Sequence, residues 1–335
     1  MTYLLCAIDR RDSALEFAAG VLTVRAPEHK PWKVGARQLG LVVVHGHVAA
    51  DAGVWRGLAD AGVAVALTGG RNGQDVAWVA AGLSANGELR HRQHQVYADP
   101  YRRLVMARWV LDQKIAAIGT EMEADPALDV PDLRFSRYRA EKSVPLCHGI
   151  GALEGIEGAL AAEWFGQLRA RIDPAWGFTA RNRRPPRDPC NALLSYGYAL
   201  ALADALTAVQ RLGLDPALGF LHSLYPGRYA LALDALECVR ALVDRVAVQL
   251  LAPGRLTAKD FSNDPIRGCR LSKHARDELI REWNGVRRVP AVSVSGPVAA
   301  CGQEVQLRSG ALCLALAGVT DCPTTGPVRK PRTGH

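Results

Sequence analysis

The 335-residue sequence has no run of about 18 consecutive apolar residues, and its opening, MTYLLCAIDRRD, is broken by charge before a signal-peptide core could form. Both absences argue against a membrane partner, and the expected location is the cytoplasm. No CxxC pair occurs. The eight cysteines lie far apart at Cys6, Cys147, Cys190, Cys238, Cys269, Cys301, Cys313 and Cys322, so buried or free thiols are expected rather than a zinc site. Neither GxGxxG nor GxxxxGK[ST] opens a helix, so TGGRNG, from Thr68 to Gly73, reads as a turn and not as a phosphate cradle. No internal repeat is evident.

What is present has the balance of a soluble globular protein: 49% hydrophobic and 22% charged residues, in a chain long enough for two domains. The formal net charge is +8, with basic clusters at RNRRPPR (Arg181 to Arg187) and at VRKPR near the C-terminus. A basic balance alone is weak evidence for a polyanion partner.

The expected class is α+β, with a small β-rich N-terminal domain over residues 1–95, a larger all-helical C-terminal domain over 96–320, and a disordered tail over 321–335. VLTV at Val21, LVVV at Leu41 and VAVAL at Val63 read as short strands, with a helical stretch between the last two. From Asp99 the pattern turns helical. In YRRLVMARWVLDQKIAAIG, Leu104, Ala107, Val110 and Ile115 fall near one face, with Arg103, Arg108, Asp112 and Lys114 largely elsewhere; Asp99 is the expected cap and Pro100 opens the first turn. Further helices are expected at ALEGIEGALAAEWFGQLRARI, NALLSYGYALALADALTAVQRLG, LALDALECVRALVDRVAVQLLA and LSKHARDELIREWNG. The segment from Asp173 to Pro189, rich in proline and carrying four arginines, must be a loop.

Several polar residues interrupt apolar patterns. Asp234 and Glu237 are three apart and share a helix face that Asp244 continues; this is either the solvated stripe of an amphipathic helix or a set of acids inside the protein. Glu157 in EGIEGAL lies on the stripe of Leu160, Ala161, Trp164 and Leu168, where an ionised carboxylate needs an arginine partner or a metal. His222, behind GFL, is either a hydrogen-bonded core residue or a ligand. Three carboxylates and one imidazole suit a hard cation such as Mg2+ or Mn2+ better than zinc, and such an ion next to an arginine loop points to phosphodiester chemistry.

Four ordered blocks, ALEGIEGALAAEWF, FTARNRRPPRDPCNALLSYGYAL, GLDPALGFLHSLYPGRYALALDALECVR and DFSNDPIRGCRLSKHARDELIREW, resemble the CRISPR-associated adaptation integrase (Cas-one) family. The resemblance implies a homodimer that works with the small Cas-two protein and inserts short double-stranded DNA segments into a CRISPR array. It implies a metal site of Glu157, His222 and Glu237, with Asp234 adjacent in the catalytic set. Arg181, Arg183, Arg184 and Arg187 become the candidates for backbone phosphates, with Asn191 ordering their loop. Two departures from the family pattern stand out: Glu154, one turn before Glu157, and DQKIAAIG, where the family usually has an Asn-Gln pair after Lys-Ile. Two other readings are kept: a catalytically idle DNA-binding scaffold whose acids form structural ion pairs, and a metal-dependent hydrolase of a small phosphate compound.

Overall fold

The computed structural model describes residues 4–10, 12–69, 75–79, 87–183 and 185–288. The expected tail, the last apolar segment near Ala311, most of the TGGRNG turn and Arg184 lie outside the described residues.

The N-terminal part holds two four-stranded sheets. In the first, β1 (Leu4–Ile8), β5 (Leu39–His45) and β7 (Ala64–Gly69) run parallel, and β8 (Asp75–Val79) closes the edge antiparallel to β7. The second places β4 (Trp32–Gly35), β3 (Val21–Arg25), β2 (Ser13–Ala18) and β6 (Val48–Ala50) side by side. Strand β5 is apolar up to its last residue, His45, because both of its faces are covered. Val42 and Val44 point to a core shared with the second sheet, while Leu41 and Val43 point to one shared with the C-terminal helices. That is the two-residue period of a strand put to use on both sides.

Helix α1 (Ala52–Asp60) starts at Asp51, whose side chain accepts from the N–H groups of Gly53 at 2.6 Å and Val54 at 3.1 Å. It connects β5 to its parallel neighbour β7, so a β–α–β crossover does exist here, without the glycine turn that would hold a nucleotide.

The C-terminal part is helical: α2 (Gly87–Ala98), α3 (Pro100–Ala124), α4 (Pro131–Ser143), α5 (Ile150–Arg171), α6 (Pro189–Arg211), α7 (Ala230–Glu237), α8 (Arg240–Leu250) and α9 (Lys273–Arg288). As expected, Asp99 caps α3, accepting from Tyr101 N at 2.9 Å and Arg102 N at 3.1 Å, with Pro100 in the first turn. The stretch before it, read as the domain boundary, is itself helix α2. Its buried Gln93 reaches the carbonyls of Asp215 and Leu218, both at 2.9 Å. Helix α6 is apolar enough by composition to cross a membrane, but 78% of its apolar window is buried inside the protein. The indole of Trp283 on α9 donates to the buried Asp204 on α6 at 2.9 Å. All five described cysteines are buried.

Two features depart from the sequence reading. The segment read as one helix from Leu231 is two, α7 and α8, separated at Cys238 and Val239, where Val239 leaves the helical region at φ −124° and ψ 4°. No glycine or proline marks the break, so periodicity runs through it. The second is a hairpin of β9 (Phe261–Asp264) and β10 (Gly268–Leu271), whose Cys269 N–H donates to the Pro186 carbonyl at 2.7 Å and so props up the arginine loop. Gly268 sits at φ +73°, and a Cβ there would meet the Pro186 carbonyl oxygen and the Pro185 side chain. Gly268→Ala is therefore expected to lower Tm by roughly 5 °C and to speed tryptic cleavage after Arg183 and Arg187 severalfold, as followed by limited proteolysis.

Candidate active site

Asp234, Glu237 and Asp244 are all buried, at 0%, 2% and 1% exposure, so they form no solvated stripe. Each solves the problem of a buried carboxylate differently. Asp234 accepts the backbone N–H groups of Phe220 at 2.5 Å, Leu221 at 3.1 Å and His222 at 2.9 Å. Its Oδ1 also takes Nδ1 of His222 at 2.8 Å. These bonds fold the GFLH turn onto α7 and commit Nδ1 of His222 as a donor, leaving Nε2 as the ring's lone-pair nitrogen.

Burial alone would lower the pKa of His222; the hydrogen bond and charge of Asp234 outweigh it and leave the value raised above 6.5. A raised cationic pKa contributes stability that is fully present below the unfolded value and is lost as pH rises through the folded one. Unfolding free energy from urea titration is thus expected to fall from pH 6 to pH 8, and the fall to be smaller in His222→Leu.

Glu237 ends α7. Its Oε2 meets Nζ of Lys114, from α3, at 2.6 Å, and its Oε1 meets Nη1 of Arg240, the first residue of α8, at 2.5 Å. The same ammonium of Lys114 is paired with Oε1 of Glu157 on α5. Burial pushes the Glu237 carboxyl up, but Lys114 and Arg240 together overcome it and hold the pKa down at about 2. One buried cation thus ties together two carboxylates from two helices.

Asp244, on α8, accepts from the indole of Trp164 at 2.8 Å and from the hydroxyl of Tyr198. Burial raises its pKa. The Tyr198 ring carries two guanidiniums, Arg240 at 4.7 Å and Arg181 at 5.3 Å from its centroid. A cavity of about 580 Å³ opens beside this cluster, lined by Lys114, Glu157, Arg240, Arg169, Arg181 and Arg183 among others.

Among the described residues, no three His, Cys, Asp or Glu side chains stand close enough as placed to hold a metal ion. The donor chemistry nonetheless fits a hard divalent cation. Glu157 and Glu237 already share a cation, the Lys114 ammonium, and His222 has the carboxylate partner on Nδ1 that orients ligating imidazoles.

The family model described as CRISPR associated protein Cas1 matches residues 6–285. The chain belongs to the Cas1 family. A Cas1 endonuclease of Rhodospirillum rubrum is 33% identical over 289 residues, covering 79% of this chain and 82% of that protein. A Cas1 endonuclease of Moorella thermoacetica is 37% identical over 227 residues, 62% of this chain and 64% of the relative. The chain thus spans just under two thirds of the Moorella protein's length. Among solved structures, a casposase bound to its integration product superposes with a TM-score of 0.82 at 20% identity, covering 95% of this chain and 92% of the other. At that identity the likeness establishes a shared fold.

Within this Cas1 fold, the residues singled out from sequence separate into groups. Glu157 and Glu237 meet at Lys114, and the charges of His222 and Glu237 act on each other. Asp234 turns its oxygens to the GFLH backbone and the imidazole. Glu154 is exposed, on the surface of α5. Arg183 and Arg187 are exposed. Arg181 is turned inward instead, donating to Asn191 at 2.9 Å and Ser195 at 3.2 Å. Asn191 also accepts from Asn182 N at 2.9 Å and donates to the Ala180 carbonyl at 2.9 Å, ordering the loop as expected.

Sequence reasoning missed Lys114, Arg240 and the Tyr198–Asp244 pair. Lys114 was read as a polar-face residue, yet it is 5% exposed. A signal was there: Lys114 is four residues from both Val110 and Ile118, which are themselves buried.

Proposed function

We propose that this chain is a metal-dependent DNA integrase and endonuclease of CRISPR adaptation, acting in the cytoplasm as a homodimer with the Cas-two protein. The observation that carries the proposal is the convergence of Glu157 and Glu237 on one cation, beside a His222 whose Nδ1 is already committed to Asp234. Glu157, His222 and Glu237 would hold Mg2+ or Mn2+. Bound there, such an ion would supply charge stabilisation to a phosphodiester under attack and acidify the attacking group.

The reaction is a transesterification. A 3′-hydroxyl of the incoming DNA attacks a target phosphodiester, one P–O bond forms as another breaks, and the displaced strand leaves with a new 3′-hydroxyl, so no ATP is needed. Water in place of the hydroxyl gives cleavage. The chain's own part is to hold the DNA: exposed Arg183 and Arg187 suit backbone phosphates, and guanidinium forks bind them bidentately. If about six phosphates are neutralised, affinity falls by about three orders of magnitude between roughly 50 and 200 mM salt.

One observation favours a second reading, the idle scaffold: both oxygens of Glu237 are already engaged by protein cations, as structural ion pairs would be. Strand transfer separates the two. A fluorescent short duplex with free 3′-hydroxyl ends is incubated with supercoiled plasmid, the partner protein and either Mn2+ or EDTA. Labelled plasmid that forms with Mn2+ and not with EDTA supports the integrase. Tight, salt-sensitive DNA binding with no transfer in either condition supports the scaffold.

A further inference from the structure

We propose that Lys114 makes cation binding at Glu157 and Glu237 conditional on an engaged phosphate, so that divalent metal and DNA bind cooperatively. The inference rests on the metal reading above and adds a regulation of that site.

Three of the four oxygens of Glu157 and Glu237 are held by protein cations: Lys114 takes one from each carboxylate and Arg240 takes the other from Glu237. The cluster is already neutral. A divalent ion placed on these carboxylates while Lys114 and Arg240 stay put meets two positive charges in a buried setting, where salt screens poorly. The free protein is therefore a weak metal binder.

The relief lies in the cavity. Lys114 and Arg240 both line the space of about 580 Å³ that Arg181 and Arg183 also face. Among the described residues, the buried Nε atoms of Arg240 and Arg181 have no acceptor. A phosphodiester in this cavity offers new acceptors to these cations and releases carboxylate oxygens. Arg240 is restrained by the Tyr198 ring at 4.7 Å, whereas Lys114 carries a compact charge on an unbranched stem. Lys114 is the group that moves, from carboxylates to phosphate. Each ligand then supplies the charge that the other's site lacks, and the coupling is necessarily reciprocal.

The test is Mn2+ affinity, read from the EPR signal of free Mn2+, for the wild-type protein alone and with a saturating duplex whose 3′ ends are dideoxy-blocked, after subtracting Mn2+ held by the duplex itself. The expected result is affinity about tenfold tighter with the duplex, matched by a similar gain in duplex affinity, read by anisotropy, on going from EDTA to Mn2+. Lys114→Met is expected to bind Mn2+ about tenfold more tightly than wild type without DNA, and to show little further gain with it. Equal Mn2+ affinity with and without duplex in the wild type overturns the coupling and leaves the metal reading standing. So does a folded Lys114→Met that gains no affinity without DNA. No Mn2+ binding in either condition overturns both readings. Should the variant fail to fold, the reciprocal wild-type measurements decide alone.

Discussion

Glu157→Gln is expected to lower strand transfer about 10³-fold or more, while duplex affinity measured in EDTA is not weakened. The size follows from what a correctly held cation contributes: about 4 kcal/mol of transition-state charge stabilisation corresponds to about three decades of rate. The selectivity follows from geometry. Glu157 lines the cavity but is an acid, so removing its charge costs the phosphate backbone nothing. The substitution also leaves the Lys114 ammonium with only Glu237, a change that the fold tolerates because Glu157 is part-exposed, its side chain 27% accessible. His222→Ala belongs to the same test and is expected to lose transfer comparably. The measurement is labelled plasmid formed per unit time with Mn2+. Retention of transfer by Glu157→Gln would mean that the chemistry is located elsewhere, whatever the family.

Asp234→Ala is expected to be the most damaging single change to stability. It removes the acceptor of three backbone N–H groups and of the His222 ring in one place that is wholly buried. Each stranded donor costs about 1–3 kcal/mol, so with four of them a loss of at least about 4 kcal/mol is expected, or about 10 °C in Tm. Asp234→Asn is the informative companion. Its carbonyl oxygen can keep part of the backbone set, yet it cannot offer a charged partner to Nδ1, so it should recover most of the Tm while transfer remains depressed. Differential scanning calorimetry beside the plasmid assay reads both. A full recovery of transfer with Asp234→Asn would reduce Asp234 to a capping residue.

These two residues show where local pattern stops being informative. Glu157, Asp234 and Glu237 stood out in sequence because carboxylates lay in apolar stripes, and all but Glu157, which borders the cavity, are deeply buried. Their separate tasks did not stand out. Asp234 and Glu237 are one helical turn apart on α7, yet one faces the GFLH turn and the other faces α3 and α8, and only the approach of those elements distinguishes them. The β9–β10 hairpin was also hidden, since FSND and GCRL are short and polar for strands. What holds them is the ladder between them and the contact of Cys269 with Pro186, far away in the chain.

By itself, the sequence determined what short-range physics can carry: strands at Val21, Leu41 and Val63 from β-branched runs, the start of α3 from Asp99 and Pro100, the loop between Asp173 and Pro189, and the acids that needed an explanation. Only the tertiary structure decided that Lys114 bridges two of those acids, that Arg181 turns inward to Asn191 and Tyr198 while Arg183 and Arg187 stay out, and that Asp234 holds the GFLH turn and the His222 ring. Caps, periods and turns depend on neighbours a few residues apart, so they can be read along the chain. The partner of a buried charge is chosen by which helices pack together: Lys114 on α3 meets Glu157 on α5, 43 residues away, and Glu237 on α7, 123 residues away.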